Sequence, residues 1–392
     1  MLLVVATSVS LQLGEVVVRI AAPQHLIVAQ PGLFEPVDSV GWIFRPNISL
    51  PVSTGERVVE VHTDRERFRT GRAGRREGAR EVLLLGDSFL AALQVEHEQS
   101  VTGLLEQALG DSVAFRNAGV PGWGPSQYLI RARGLLRAGR FGAVAVFVYI
   151  GNDIDAKRRQ YYPPHAIDQR ARLRIPARLA WKRIVNAIVL PLNDWLKEHS
   201  HAFVLIKNRT LVLRMKLGLA PTYFPQDFLR TASGSERWST TAAILNDIDR
   251  LGWEDARPTV FVLIPAAFQT EPTVFAAYMR GLRIDSSTVD LDQPTNRLSA
   301  ALRADGLCVI DALPAFRDEA ARGRRMFGSV DRHLSPDGNV VLARMVAPAL
   351  RAALGTRDAR AACAAVGVVT TPQNPEPIGR NGTHGRQRTR RH

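Results

Sequence analysis

Five short apolar runs, separated by segments of more mixed composition, constrain the fold of this chain most. Unbroken apolar runs of this length are typical of strands buried on both faces of a parallel sheet. Apolar residues also recur at helical spacing, which predicts intervening and terminal helices. The sequence therefore predicts an α/β fold with five parallel strands in a doubly wound sheet and helices on both faces. The runs are 82–85, 113–115, 143–150, 260–264 and 307–310, and the helical spacing occurs near 101–109, 127–136 and 336–354.

The rest of the chain divides into segments of different composition. Residues 23–80 scatter aromatic residues among Pro and Gly and predict an irregular lead segment with one hairpin near 57–61. The predicted domain covers 81–355, with an insertion at about 154–237, which is too long for a single crossover helix. The tail, 356–392, is rich in Pro, Gly and Arg, and this composition predicts disorder.

The first 22 residues carry an apolar run that is hard to assign. The run from Leu2 to Leu13 is shorter than the roughly 20 residues of a membrane span, and no positive charge precedes it as in a secretory signal. We favour the remnant of a membrane anchor, with a packed helix of a soluble protein as the alternative. The stretch from Trp195 to Leu217 leaves a similar choice between a packed helix and a basic face that contacts a membrane.

The positive charge of the chain is confined to two stretches. The formal net charge is +14, of which residues 64–80 supply +4 and residues 356–392 supply +5. Neither stretch interleaves aromatic residues with side chains that read bases. A nucleic-acid partner is therefore not expected, although a basic balance suits an anionic surface.

Two cysteines, Cys308 and Cys363, are the only ones in the sequence. One pair does not make a disulfide framework, and neither residue argues for a metal site. They leave the redox compartment of the protein open.

Residues that could take part in catalysis follow three of the predicted strands. Gly-Asp-Ser ends at Ser88 after the first predicted strand, where a doubly wound sheet exposes its ligand site. The loop after the second strand holds Gly119 and Gly122, whose backbone N–H groups can approach an oxyanion closely. After the third strand, Asn152 offers a neutral amide donor. Taken singly, each feature is also explained by an ordinary turn.

A histidine precedes the last predicted helix. His333 can accept the Ser88 proton, with Asp331 holding the tautomer of the imidazole ring. Asp311 and Asp337 are the other candidate carboxylates, although Asp311 suits the end of the fifth strand and Asp337 the start of the helix.

These four motifs, in this order, resemble those of the SGNH hydrolases, also called the GDSL esterase and lipase superfamily. The resemblance covers about 81–354 without the insertion. It implies a flavodoxin-like α/β/α fold with Ser88 as nucleophile and His333 and Asp331 as base and acid. It also implies an oxyanion hole formed by Ser88, Gly122 and Asn152, in which spacing favours Gly122 over Gly119.

One departure from the family's usual pattern concerns the acid. Asp331 precedes His333 by two residues instead of the common three, and this spacing is similar to that of envelope-associated members with an N-terminal anchor. The lead segment also resembles those members. The resemblance implies a membrane-associated, extracytoplasmic protein.

The resemblance implies an esterase that cleaves an acyl or acetyl ester of an envelope glycan or lipid. The mechanism requires no metal and no organic cofactor. Transfer of the acyl group to a polysaccharide hydroxyl is one alternative, because the same residues serve both reactions. A non-catalytic binding protein on the same fold is another alternative.

Overall fold

The computed structural model describes the chain in eleven ranges. These are 1–24, 26, 32–55, 57–72, 78–137, 139–154, 189–217, 224–234 with 237–253, 257–329 and 331–355. The aromatic and proline residues at 161–164 and the tail 356–392 lie outside the described residues, so the predictions for them stay predictions.

Ten strands and twelve α-helices are described. The strands are β1 (Phe34–Val37), β2 (Gly41–Phe44), β3 (Ser49–Ser53), β4 (Val58–Thr63), β5 (Arg69–Thr70), β6 (Arg80–Leu85), β7 (Val113–Asn117), β8 (Phe141–Tyr149), β9 (Thr259–Ile264) and β10 (Cys308–Asp311). The helices are α1 (Leu2–Ala21), α2 (Ser88–Ala91), α3 (Val101–Leu109), α4 (Pro125–Leu136), α5 (Leu190–His199), α6 (His201–Lys216), α7 (Arg237–Trp253), α8 (Ala267–Thr270), α9 (Pro272–Leu282), α10 (Gln293–Ala304), α11 (Leu313–Ala321) and α12 (Pro336–Gly355).

The five predicted strands form the parallel core of the sheet. Strands β6 to β10 pair in the order β10-β9-β8-β6-β7, all parallel. Their side chains are almost all buried, because helices cover both faces. Numbered within the core, this order is 2-1-3-4-5, the flavodoxin-like order whose direction reverses between its first and third strands. The predicted fold class is confirmed: the core is an α/β, doubly wound parallel sheet of flavodoxin-like strand order.

Two helical layers flank the core. Helices α3, α11 and α12 pack together on one face, and α4, α7 and α10 pack on the other. Each layer buries apolar side chains against the strands, for example Leu105 of α3 and Leu245 of α7. The result is a three-layer α/β/α arrangement.

The lead segment differs from the irregular segment predicted for it. Strands β1 and β2 form a separate antiparallel hairpin. Strands β3, β4 and β5 pair antiparallel with one another, and β5 pairs with β7, so the sheet has eight strands instead of five. Short strands interrupted by Pro and Gly carry little period-two pattern, so tertiary pairing decided their structure.

Buried charges join this antiparallel extension to the core. Arg116 of β7 is 5% exposed and contacts Asp64 at 2.7 Å and Glu66 at 2.6 Å. Its guanidinium also lies 4.5 Å from the ring centroid of Phe68. Because the charges are paired, their burial beside β7 is tolerated.

The apolar start of the chain is a helix that packs against the insertion. Ser200 Oγ donates to the Glu15 carboxylate at 2.7 Å, and the N–H groups of His201 and Ala202 donate to it at 2.9 and 3.0 Å. Burial raises the pKa of Glu15, but these hydrogen bonds outweigh it and lower that pKa to about 2. Among the described residues, no helix has the length and apolar character that crossing a membrane requires, so the predicted transmembrane helix is not supported.

Cys308 of β10 is disulfide-bonded. The only other cysteine in the sequence, Cys363, lies outside the described residues. The sequence alone did not predict this bond.

Candidate active site

The nucleophile candidate lies at the point where the parallel core reverses direction. Ser88 begins α2 directly after β6, and the Asp87 carboxylate caps that helix by accepting from Phe89 N–H at 2.9 Å. The first N–H groups of a helix have no acceptor inside the helix, so Ser88 N–H is available to a ligand. Both the hydroxyl and the N–H of Ser88 thus lie at the carboxyl edge of the sheet.

The structure brings His333 to Ser88 across 245 positions in sequence. His333 Nε2 lies 2.8 Å from Ser88 Oγ, within hydrogen-bonding distance. The loop that carries it is fixed on both sides: Gly328 N–H donates to the His333 carbonyl at 2.8 Å, and Gln94 Nε2 donates to the Leu334 carbonyl at 2.9 Å. The ring also packs against Phe89, with centroids 4.8 Å apart. The imidazole is therefore held at the nucleophile by packing and by backbone contacts.

Asp331 reaches His333 in spite of the two-residue spacing. Its Oδ2 lies 3.5 Å from His333 Nδ1, and its Oδ1 accepts from His333 N–H at 3.0 Å. Between them, Arg332 has φ 62°, a left-handed conformation that turns the chain back on itself. Burial raises the pKa of Asp331, but hydrogen bonding to His333 and to the Thr54 hydroxyl outweighs burial. The pKa of Asp331 therefore lies below its usual value. The carboxylate therefore stays ionised beside the imidazole.

The other two candidate carboxylates have local structural partners. Asp311 Oδ1 accepts from Leu313 N–H at 2.9 Å, at the start of α11. Asp337 lies in the first turn of α12, where a negative charge suits the helix dipole. These positions match the alternatives that the sequence suggested for both residues.

The loop after β7 separates its two candidate glycines. Gly119 N–H already donates to Asn117 Oδ1 at 2.9 Å, and a Cβ at Gly119 would lie 2.8 Å from Ala91 N. Gly122 has φ +79° and is exposed, and its N–H makes no hydrogen bond to the described residues. The geometry therefore favours Gly122 over Gly119 as an oxyanion donor.

Asn152 follows β8 and is exposed toward the same edge. Its Nδ2 donates to Asp87 Oδ2 at 3.5 Å, and an amide nitrogen carries two hydrogens. One hydrogen can stay on Asp87 while the other points to a substrate oxygen. Burial raises the pKa of Asp87 to about 6, although Phe89 N–H, the His333 charge and Asn152 each lower it.

A second buried carboxylate, that of Asp153, supports the turn that carries Asn152. Asp153 Oδ2 accepts from Tyr128 Oη at 3.0 Å and from Tyr149 N–H at 2.9 Å. Burial, together with the nearby charge of Asp87, raises the pKa of Asp153 well above its usual value. Asp153 thus fixes the turn that presents Asn152.

The lead segment contributes two contacts that sequence reasoning missed. Trp42 of β2 is 2% exposed, and its Nε1 donates to the Pro121 carbonyl at 2.8 Å, next to Gly122. A Cβ at Gly122 would lie 3.0 Å from the Trp42 ring, so the indole closes one side of this loop. No motif marked Trp42, because the contact joins residues far apart in sequence.

The second contact fixes the C-terminal end of α2, the helix that begins at Ser88. Arg69 of β5 is fully buried, and its guanidinium donates to the carbonyls of Ala91, of Ala92 at 2.7 Å and of Val95 at 2.7 Å. Ala91 is the last residue of α2, and Ala92 and Val95 follow it in the chain. Burial lowers the pKa of Arg69 to about 10, so it remains charged near neutral pH and fixes the backbone behind Ser88.

One protein-family model matches part of the chain. Residues 224–377 match the family model described as SGNH hydrolase-like domain, acetyltransferase AlgX. The match includes Asp331 and His333 but not Ser88, Gly122 or Asn152. No curated protein sequence matches the chain.

Solved structures with similar chains include lipolytic and acetylesterase proteins. A member of the lipolytic G-D-S-L family from Veillonella parvula is 12% identical, covers 68% of this chain and 95% of its own, and has a TM-score of 0.35. A carbohydrate acetylesterase family member from Sinorhizobium meliloti is 13% identical, covers 71% and 100%, and has a TM-score of 0.36. An acetyl xylan esterase is 12% identical, covers 67% and 96%, and has a TM-score of 0.38.

Proposed function

We propose that the chain is a serine esterase in which Ser88 takes the acyl group from a carboxylic ester and passes it to water. The observation that carries this proposal is the 2.8 Å contact between Ser88 Oγ and His333 Nε2. Asp331 lies behind the imidazole and Asn152 lies exposed at the same edge, so nucleophile, base, acid and oxyanion donor have separate positions. This is the geometry that nucleophilic acyl transfer requires.

The reaction proceeds in two halves. Ser88 Oγ attacks the ester carbonyl carbon while His333 Nε2 takes the hydroxyl proton. The oxyanion accepts hydrogen bonds from Ser88 N–H, Gly122 N–H and Asn152 Nδ2, each worth about 3 kcal/mol of barrier. The C–O bond to the alcohol breaks, and His333 returns the proton to the leaving oxygen. Water then attacks the acyl-serine in the same way and releases the acid and free Ser88.

An acetyl ester of a glycan or lipid of the cell envelope is the proposed substrate. The description of the matching family model, an acetyltransferase, supports acetyl as the acyl group. An extracytoplasmic location fits the disulfide bond of Cys308, because such bonds persist in oxidising compartments.

Transfer of the acyl group to a sugar hydroxyl is a second candidate function. The family model's description as an acetyltransferase favours it. The first half-reaction is the same, and the hydroxyl replaces water in the second. A non-catalytic binding protein is less well supported, because it needs no hydrogen bond between Ser88 and His333.

Hydrolysis of p-nitrophenyl acetate by the purified chain tests the proposal. Ser88→Ala should remove activity, while Ser126→Ala, a matched change at a nearby half-buried serine on α4, should leave it unchanged. Adding a soluble oligosaccharide and measuring acetylated sugar against free acetate separates transfer from hydrolysis. Full activity in the Ser88→Ala variant would refute the proposal.

A further inference from the structure

Tyr149 is the last residue of β8, and its half-buried side chain lies beside the candidate active site. Its ring stacks on that of Phe89, with centroids 3.8 Å apart and planes inclined by 22°. Phe89 follows Ser88 in the chain and packs against the His333 ring, as described above. The rings of His333, Phe89 and Tyr149 therefore form a continuous row that starts at the proposed base.

The far end of the Tyr149 ring covers Gly151, the residue before Asn152. A Cβ at Gly151 would lie 2.5 Å from ring atoms Cε1 and Cζ and 2.6 Å from Oη, which is too close for any larger residue with the ring in this position. Gly151 does not have a left-handed backbone, so this glycine makes room for the ring. The Tyr149 hydroxyl thus lies next to the turn that carries the proposed oxyanion donor Asn152.

The backbone of Tyr149 is fixed, whereas its hydroxyl is not used by the fold. Its N–H donates to Asp153 Oδ2 at 2.9 Å, and its carbonyl accepts from the N–H groups of Asn152 at 3.2 Å and of Asp153 at 3.0 Å. The hydroxyl makes no hydrogen bond to the part of the chain that the structure describes. The phenol is therefore held in place with its polar atom left for a ligand.

The surroundings of Tyr149 keep its hydroxyl neutral. Burial raises the pKa of Tyr149 above its usual value, and the charges of Tyr278, Asp87 and Asp153 act in the same direction. The hydroxyl is therefore protonated near neutral pH and can both donate and accept a hydrogen bond. A polar group of this kind matches another hydroxyl, whereas an apolar ligand would bury it without a partner, which is unfavourable.

The position of Tyr149 corresponds to the alcohol part of an ester. His333 Nε2 has to reach the leaving oxygen to return the proton, so the alcohol lies on the imidazole side of the reacting carbon. The row of rings continues from the imidazole on that side and ends at the Tyr149 hydroxyl. This hydroxyl is therefore placed to meet a second polar group on the alcohol.

We propose that Tyr149 is a specificity-determining residue whose hydroxyl binds a second hydroxyl group on the alcohol part of the ester. The inference rests on the proposed function, because it requires an ester bound at Ser88 and His333. It favours esters of alcohols with several hydroxyl groups over esters of alcohols with an apolar remainder. An apolar alcohol leaves the Tyr149 hydroxyl unpaired, and sites that bind a substrate hydroxyl reject analogues without it for this reason.

Hydrolysis of two acetyl esters that differ in one hydroxyl group tests the inference. The esters are trans-2-hydroxycyclohexyl acetate and cyclohexyl acetate, and the measured quantity is the ratio of kcat/KM for the first to kcat/KM for the second. Tyr149→Phe keeps the ring and removes the hydroxyl, and should lower this ratio about fivefold, the effect of one hydrogen bond between neutral groups. A loss of folded protein or a general loss of turnover cancels in the ratio, so a purely structural role would leave it unchanged.

Two further variants sharpen the test. Gly151→Ala places a Cβ against the Tyr149 ring and should also lower the ratio, although the hydroxyl is still present. Tyr278→Phe is a matched control, because it removes the hydroxyl of another half-buried tyrosine, on α9, whose ring packs against Phe268 with centroids 5.4 Å apart. This control should keep the wild-type ratio.

The outcomes separate this inference from the proposed function. A wild-type ratio in Tyr149→Phe, with both esters cleaved, would overturn the inference alone, and so would an equal fall in Tyr278→Phe. Failure of the wild-type chain to cleave either ester, or cleavage of both by Ser88→Ala, would overturn the proposed function and the inference together.

Discussion

The parallel core and the lead segment contribute to the candidate active site in different ways. Core strands β6, β7 and β8 lead directly to Ser88, to the Gly122 loop and to Asn152. The lead segment supplies none of the proposed reacting groups, but Trp42 of the β1–β2 hairpin and Arg69 of the antiparallel extension fix the backbone beside those residues. The positions of the proposed nucleophile and oxyanion donors therefore follow from the parallel topology, while contacts that fix their surroundings come from a segment with weak sequence signals.

Removing the acid should have the largest effect of the variants that test this comparison. Asp331→Asn should lower kcat by about 10⁴, because an amide no longer selects the imidazole tautomer that accepts the Ser88 proton. Turnover of p-nitrophenyl acetate by Asn variants at 311, 331 and 337 measures it. Near-normal turnover of the 331 variant, with collapse of one of the others, would assign the acid elsewhere.

Asp87, at the end of core strand β6, should affect catalysis by positioning the Asn152 amide. In Asp87→Asn the helix cap can persist, but the acceptor for Asn152 Nδ2 is lost. Loss of an oxyanion donor costs about 10²- to 10³-fold, so a displaced Asn152 should lower kcat by about 10- to 100-fold. KM should change little. Equal losses in the Asn152→Ala single variant and the Asp87→Asn/Asn152→Ala double variant would confirm the coupling, and additive losses would contradict it.

The pKa of Asp87 also predicts how stability depends on pH. Burial raises this pKa from 3.8 to about 6, so the folded state binds a proton that the unfolded state releases in that range. The Asp87 contribution to stability is complete below about pH 4 and is lost as pH rises to about 6. Urea unfolding of the wild type and Asp87→Asn should therefore shift in favour of the variant between pH 4 and pH 7. A difference that does not change with pH would contradict this assignment.

A change in the β1–β2 hairpin of the lead segment should have the smallest effect. Trp42→Phe keeps an aromatic ring beside Gly122 but loses the hydrogen bond to the Pro121 carbonyl, worth about 1 kcal/mol. We expect kcat to fall about fivefold with KM unchanged, because the oxyanion loop becomes less fixed. Trp238→Phe on α7 is a matched control at another buried tryptophan and should leave kcat unchanged. A larger effect than that of Asp87→Asn would mean that the lead segment takes part in the chemistry itself.

The core was predictable because its signals are local. The runs at 82–85 and 260–264 are continuous apolar segments, and a strand buried on both faces needs nothing more to be recognised. Ser88 and Asn152 could be placed from the strands that precede them, since parallel strands end at the same edge. Their chemical roles, and those of Gly122, Asp331 and His333, stay predictions.

The extension and the N-terminal helix were not predictable for a physical reason. Strands β3 to β5 form because β5 pairs with β7 and because Arg116 meets Asp64 and Glu66, and both are contacts between distant parts of the chain. In the same way, the apolar start of the chain gave no sign that Glu15 would cap α6. The left-handed Arg332, which brings Asp331 to His333, also depends on tertiary structure.

Labelling with a fluorophosphonate probe tests the central claim, that His333 activates Ser88, most directly. Intact mass and peptide mapping of the full chain should show one adduct, on Ser88. His333→Ala should slow labelling by about two orders of magnitude or more, since general base catalysis is worth about 10²- to 10⁴-fold. Ser126→Ala should label at the wild-type rate. An adduct on another residue, or an unchanged rate in the His333→Ala variant, would contradict the account.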